Sequence, residues 1–430
     1  VYRVFDTIGE TLPSMLLTRQ MARVAEGWDR DAVRRAGEIA ADRLVDDVLP
    51  YARLLIDHHH AEGRRVVMAT TSPYDLVAPL ADRLGLDSVV ATRYGVRGGA
   101  NDGSVDGHFV WGPGKLAAVR DWAAGHGVDV AGSWAYSDSV YDLPLLSAVR
   151  HPVAVNPDPR LRVVAALRRW PAQHFDVPAG VPKLGGVEPQ TVLQMLAQPQ
   201  LFPWVRFDVD GTDRIPADGP AILVANHRSY FDPLAIGFTI ARVGRPLRFL
   251  GKKEVFDAPL VGQVASAMGG IRVDRGTGSE EPLEAAAEAL RAGQAVAIMP
   301  QGTIPRGRAF YAPDLKGRWG AARLAKMTRA PVIPVGLWGT ERVWPRNARF
   351  PDVTAIGDPP TVRVRVGAPV ELKYRSLDAD TKRIMAAISD LLPAVARRPH
   401  EPTADEIARA LPAGAPDTGA AEGTRRPGSD

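Results

Sequence analysis

Two residues of this 430-residue chain have the types and spacing of a proton-transfer pair. His227 and Asp232 stand five positions apart in VANHRSYFDP (224–233). A carboxylate that accepts from one imidazole nitrogen fixes the tautomer and leaves the other nitrogen to take a proton. Such a base contributes roughly 10²–10⁴-fold to a rate. The same spacing recurs at His400 and Asp405, so spacing alone does not decide. The first pair follows the apolar run AILVAN (221–226) and precedes a helix-like stretch. Open α/β sheets place their ligands at such strand-to-helix loops. The second pair has no strand before it and is set aside. Without that context the first pair reads equally well as a capping aspartate and a surface histidine.

A second ordered set lies nearer the N-terminus. Thr70 ends the apolar run VVMATTSP (66–73), Lys115 sits in WGPGKLAAV (111–119), and Asp138 and Asp142 lie in YSDSVYDLPLL (136–146). Singly they are a strand-end hydroxyl, a solvated lysine and a helix cap. A third stretch, Phe207-Asp208-Val209-Asp210-Gly211-Thr212, has the D-x-D-G-T form of an aspartyl-phosphatase nucleophile. DHHHAEG (57–63) is expected to be a solvated helix end, since consecutive histidines on a helix point in different directions.

The elements that must position these groups follow from periodicity. Residues 1–63 read as helical. The runs 64–72, 88–93, 133–139 and 151–157 read as strands alternating with helices, which predicts an α/β unit with a largely parallel sheet. DVPAGVPKLGGVEPQ (176–190) is the best linker candidate. Alternation then restarts with strands at 221–226, 246–252, 270–274, 295–300, 331–338 and 361–370. A helix lies at 279–293, with Ser279 as N-cap and Gly293 beyond its end, and another near 376–392. These boundaries give an α/β chain of two domains, 1–172 and 201–398, joined by a linker at 173–200 and ending in a disordered tail at 399–430.

Composition sets limits. The chain has no cysteine, which excludes thiol chemistry, disulfides and cysteine-ligated zinc. Formal charge is +4, compatible with phosphates, coenzymes or lipid head groups and too weak to argue for nucleic acid. No apolar run reaches the ~18–20 residues of a membrane span. Basic residues at Arg242, Arg245, Arg248, Lys252 and Lys253 read as a solvated face, or as contacts to anionic lipid or coenzyme.

Residues 200–375 resemble the glycerolipid acyltransferases, the lysophosphatidic acid acyltransferase family. Asn226, His227, Ser229 and Asp232 match its N-H-x-S-x-x-D motif. GGIRVDRG (269–276), with Arg275, resembles the second motif, and MPQGTIPRG (299–307) the third. Lys316 opens a K-G-x4-A segment, and APVIPVGLWG (330–339), centred on Pro334, resembles the fourth motif. The resemblance implies that His227, oriented by Asp232, deprotonates the free hydroxyl of 1-acylglycerol-3-phosphate. That oxygen attacks the thioester of acyl-CoA or acyl-carrier protein, with no metal or other cofactor. Arg275, Gln301, Gly302 and Thr303 would hold the acceptor phosphate. Two departures stand out: Gln301 where the motif carries Glu, and Ile304 where it carries Arg, with Arg306 or Arg308 as substitutes. The implied enzyme is peripheral, on the cytoplasmic face of the membrane.

Residues 64–160 resemble the haloacid dehalogenase superfamily, near its phosphoserine-phosphatase-like members, with the preceding helices as cap. Thr70, Lys115, and Asp138 with Asp142 would be the second, third and fourth motifs, and Asp138 a Mg²⁺ ligand. The nucleophilic D-x-D is expected upstream of this chain: Asp6 in VFDTIGETL lacks its second aspartate, so the domain reads as lacking a nucleophile; the alternatives to acyl transfer are a Mg²⁺-dependent phosphatase with a lipid-binding acyltransferase-like half, if the full-length protein supplies that D-x-D, and a non-catalytic lipid-binding scaffold. Chain order also places FDVDGT after all three phosphatase motifs, where it reads as a strand and turn opening the acyltransferase domain.

Overall fold

The computed structural model describes residues 22–178, 181, 183, 187–196, 198–257, 261–273 and 281–414. The chain forms two compact units, Val1–Ala179 and Gly180–Asp430.

In the first unit α1 (Arg30–Asp47) begins where Asp29 accepts from Ala32 N at 2.7 Å. It is followed by α2 (Pro50–Ala61), β1 (Val67–Pro73), α3 (Tyr74–Arg83) and β2 (Ser88–Arg97). α1 packs closely on α3. At Gly37 a Cβ would press on the Asp75 and Leu76 carbonyl oxygens at 2.9 Å. β3 (Ala100–Asp106) then folds back on β2. The two-residue turn between them is Gly98-Gly99, both with positive φ, a hairpin signal legible in VRGGAND. α4 (Pro113–His126), β4 (Trp134–Ser137), α5 (Leu143–Leu146), β5 (His151–Val155), α6 (Pro159–Arg168) and β6 (Ala172–Gln173) complete the unit. Among the described residues the strands form two three-stranded sheets, β1-β2-β3 and β4-β5-β6, parallel except for the β2–β3 hairpin.

Among the described residues the second unit is built on one seven-stranded sheet, ordered β10-β9-β11-β8-β12-β13-β7. Its strands are β7 (Arg206–Asp210), β8 (Ala221–Ala225), β9 (Leu247–Lys252), β10 (Ile271–Val273), β11 (Ala295–Ile298), β12 (Val332–Trp338) and β13 (Thr361–Val366). Only the β12–β13 pairing is antiparallel. β8 is central and wholly buried, as a parallel strand covered on both faces must be. Its Leu223 and Ala225 pack with α8 (Asp232–Ala241) on one face. Its Ile222 and Val224 pack with α11 (Glu281–Arg291), α12 (Gly320–Thr328) and α14 (Leu377–Asp390) on the other; the short helices α9 (Lys253–Asp257), α10 (Val261–Ala267) and α13 (Thr340–Val343) lie between these in the chain. Ser279 lies outside the described residues.

FDVDGT is a strand, as its place in the chain implies. β7 pairs with β13, and Asp208 receives Arg365 Nη2 at 2.6 Å. That guanidinium holds the Asp208 carboxyl below its usual range. Gly211 has φ +82°, and a Cβ there would collide with the Val366 carbonyl.

Three expectations need correction. The linker is shorter than 173–200: α7 (Pro189–Leu196) is docked on the start of β9 through Gln190 and on Arg245 before it through Gln194, while Glu188 pairs with Arg248. Second, Arg245 and Arg248 are buried, not a solvated or lipid-facing pair. Arg245 donates to three backbone oxygens, and Arg248 makes a two-pronged bond to Glu188 at 2.8 and 3.1 Å. Third, residues 399–414 of the expected tail are ordered. α15 (Ala404–Arg409) starts with a capping box, and Ala410 packs with Ile304 and Phe310. Apolar residues too sparse to pattern the tail sequence still find a preformed surface. The histidine run is also not simply solvated: His59 is buried and bonded to Tyr136 Oη at 2.9 Å.

Candidate active site

The end of β8 delivers the first motif to the carboxyl edge of the sheet. Asn226 extends the β8–β12 pairing with its side chain, donating to Leu337 O (2.9 Å) and accepting from Leu337 N (2.7 Å). The chain then leaves the sheet. Ser229 Oγ donates to Trp344 O (2.7 Å) and accepts from Phe231 N (3.0 Å), which closes the turn into α8.

Asp232 stands in the first turn of α8, where the helix dipole favours a carboxylate. Its Oδ2 is the hub of the loop, accepting from His227 Nδ1 (2.7 Å), Arg228 N (2.6 Å) and Ser229 N (2.8 Å). The two backbone bonds fix Oδ2 as an acceptor, so Nδ1 carries the imidazole proton and Nε2 is left with a lone pair. The Asp232 side chain is completely buried, whereas His227 keeps 19% of its side chain exposed. This is a base with a rigid orienting partner and an open reactive edge.

The third motif approaches from β11. Gln301 Oε1 accepts from His227 N at 2.6 Å. The side chain that departs from the motif therefore anchors the backbone of the histidine, a task a neutral amide performs. Gly302 has φ +73° in a turn closed by its N–H to Met299 O. Arg318 N donates to Pro300 O, which brings the segment beginning at Lys316 beside this turn. Ile304 is 3% exposed and packs with Phe310 and Ala410, so the position is a core residue and not a lost phosphate ligand. Arg346 donates to the carbonyls of Ile304 and Pro305. Arg308 faces Glu401 at 3.8 Å. Pro334 lies inside β12 opposite Val224 and accepts from Gly367 N, supporting the sheet at a distance from His227 in the chain's bonding. Arg275 lies outside the described residues.

Sequence reasoning missed Arg228. Its guanidinium grips Glu341 with two bonds of 3.1 Å and lies against the rings of Phe310 (4.3 Å) and Trp338 (4.2 Å). It ties the first motif to the segments after the third and fourth. No local pattern marks a residue whose partners lie about a hundred positions away.

In the first unit Lys115 Nζ donates to Asp142 Oδ2 at 2.7 Å, and Ser137 Oγ donates to the same oxygen at 2.7 Å. Both charged side chains are buried. Asp138 is exposed, and Thr70 Oγ1 accepts from Ser72 N. The fourth-motif pair is thus divided: Asp142 serves the lysine, and Asp138 is exposed. Magnesium requires near-octahedral oxygen ligation. Among the described residues no three His, Cys, Asp or Glu side chains gather to hold a metal. A D-x-D does precede Thr70, at Asp29 and Asp31, but Asp29 caps α1 and Asp31 lies in its first turn. Neither stands at the end of a strand.

Comparison with known proteins agrees with both halves. The family described as "Acyltransferase" matches residues 206–338, and that described as "haloacid dehalogenase-like hydrolase" matches residues 10–147. The chain is similar to the "Inhibition of morphological differentiation protein" of Streptomyces azureus, 40% identical over 37% of this chain and 57% of that one. It is similar to the "Phosphoserine phosphatase SerB1" of Mycobacterium tuberculosis, 37% identical over 34% and 47%. It is also similar to the chloroplastic "1-acyl-sn-glycerol-3-phosphate acyltransferase BAT2" of Brassica napus, 28% identical over 45% and 53%. The chain spans about half the length of these curated relatives. It carries a haloacid dehalogenase-like hydrolase domain followed by an acyltransferase domain.

Proposed function

We propose that the acyltransferase domain moves a fatty acyl group from acyl-CoA or acyl-carrier protein to the free hydroxyl of 1-acylglycerol-3-phosphate. The observation that carries this reading is the His227–Asp232 bond, with Asp232 locked by two backbone N–H groups. His227 Nε2 takes the hydroxyl proton as the oxygen attacks the thioester carbon. The tetrahedral intermediate collapses, the C–S bond breaks, and the imidazolium returns the proton to the departing thiolate. Gln301 holds His227 in place. Gly302 and Thr303, with Arg275 from the second motif, bind the acceptor phosphate, and the donor is the only co-substrate. The enzyme works as a peripheral protein on the cytoplasmic face of the membrane and uses no nucleic-acid partner.

His227→Ala is the direct test. Acyl transfer to 1-acylglycerol-3-phosphate should be lost with the melting temperature preserved. Undiminished transfer in that variant refutes the assignment.

A further inference from the structure

The loop that carries His227 is fastened along a single stretch of chain, residues 337–344. Asn226 bonds Leu337 through both atoms of its amide, and Ser229 Oγ donates to Trp344 O. Between them the Arg228 guanidinium takes Glu341 and lies against the Trp338 ring. His227 is held from elsewhere, its backbone by Gln301 and its ring by Asp232. Asn226 and Ser229 are fixed letters of the N-H-x-S-x-x-D motif, whereas Arg228 stands at an open position of it.

Arg228 nevertheless sits in a built site. Its side chain is 12% exposed and that of Glu341 21%. Nε donates to Glu341 Oε2 and Nη2 to Oε1, both at 3.1 Å, the two-pronged geometry that a planar guanidinium offers and an ammonium does not. The carboxylate is itself fixed, because Oε2 also accepts from Gly339 N at 3.1 Å. Gly339 has φ +90°, and a Cβ there would collide with the Thr361 carbonyl, so this turn has no slack. The second ring against the guanidinium, Phe310, is backed by Ile304 and by Ala410 just after α15. With Glu341 occupying the fork, this arginine is not set out to receive a substrate phosphate. Its backbone N–H is one of the two that lock Asp232 Oδ2, at 2.6 Å. Immobilising the side chain limits the backbone angles that aim this N–H.

We propose that Arg228, clamped by Glu341, Trp338 and Phe310, is a positioning residue for the His227–Asp232 pair. The proposal rests on reading His227 as the base of acyl transfer. The clamp acts through the backbone of the loop: it keeps the Arg228 N–H on Asp232, and Asp232 keeps the Nδ1 proton of His227 in place.

Wild type, Arg228→Met, Glu341→Gln and the double variant are compared as full chains, below every melting transition. Arg228→Met should lower kcat about 30- to 100-fold, the cost of a slightly misplaced base. KM for donor and acceptor should stay within about twofold, because the side chain touches neither. The double variant should fall no more than about twofold below Arg228→Met, since the two side chains work as a unit. A second readout needs no turnover. In chain labelled with ¹⁵N-histidine, the Nδ1 proton of His227 is assigned by its absence from His227→Ala. It should exchange with water at least about tenfold faster in Arg228→Met. If Arg228→Met does not fold, Glu341→Gln, which keeps the volume and removes only the charge, carries the same comparisons with a smaller loss. Unchanged kcat with unchanged Nδ1 exchange overturns the proposal. So does a raised KM with kcat preserved, which would make Arg228 a substrate ligand, and so do losses that multiply in the double variant. A wild-type chain that acylates no acceptor, yet whose Nδ1 proton exchanges faster in Arg228→Met, sinks the proposed reaction and leaves the clamp standing.

Discussion

Asp232→Asn isolates the step on which the proposed chemistry depends. The substitution changes one oxygen to NH₂ with almost no change in volume, and Asp232 is wholly buried. Its Oδ2 accepts three hydrogen bonds, two from backbone N–H groups and one from His227 Nδ1. The Asn carbonyl oxygen can keep the backbone pair, so the loop should close much as before. What is lost is the charge that favours an imidazolium. If the NH₂ group takes the Oδ2 position instead, both backbone N–H groups lose their acceptor, the ring must accept at Nδ1, and its proton moves to Nε2, the atom that should act as base. A wrong-tautomer loss of this kind is worth about 10³–10⁴ in kcat, or about 4–5.5 kcal/mol of barrier. Charge-assisted bonds become neutral ones, which should cost about 1–3 kcal/mol of stability. Release of the thiol from acyl-CoA can be followed with a thiol-reactive chromophore, since the chain contributes no cysteine to the background. Thermal unfolding measures the second quantity. A variant within tenfold of wild-type kcat, still folded, would show that Asp232 only closes the loop at Arg228 and Ser229 and would remove the base assignment.

Two further outcomes follow from buried charges. Glu188→Ala strands the fully buried Arg248 guanidinium and should lower stability by about 3–5 kcal/mol in chemical denaturation; an unchanged midpoint would mean that the 187–196 segment does not dock. In the first unit His59 titrates below its ordinary value of 6.5, chiefly because burial disfavours the charged ring and secondarily because Arg64 adjoins it. The unfolded chain binds the proton more readily, so stability falls as pH drops below about 6.5 and on toward the folded value. Comparing the melting temperatures of wild type and His59→Gln across that range should show a steeper acid loss in the wild type; parallel curves would refute it.

Much of the fold was legible in the chain because its cues are local. The apolar runs around 221–226, 295–300 and 331–338 are buried strands whose neighbours in sequence supply the turns. The hairpin at Gly98-Gly99 was equally local and went unread. The tail was misjudged because a helix as short as α15 has little pattern of its own, and what orders it is the surface at Ile304 and Phe310. The basic run at 242–253 was misjudged because charge in a sequence does not say whether an arginine meets water, a carboxylate or three backbone oxygens.

The order of the motifs, the identity of the His227–Asp232 pair and the placement of FDVDGT as a domain opening were determined by the sequence itself. Each depends on residues a few positions apart or on their succession along the chain. The tertiary structure alone decided that Gln301 anchors His227 across 74 positions and that Ile304 belongs to a core. It also decided that Asp142 serves Lys115 while Asp138 faces outward. Those outcomes depend on which distant backbone oxygen or side chain a group meets. That is set by the packing of elements against one another, which no local spacing encodes.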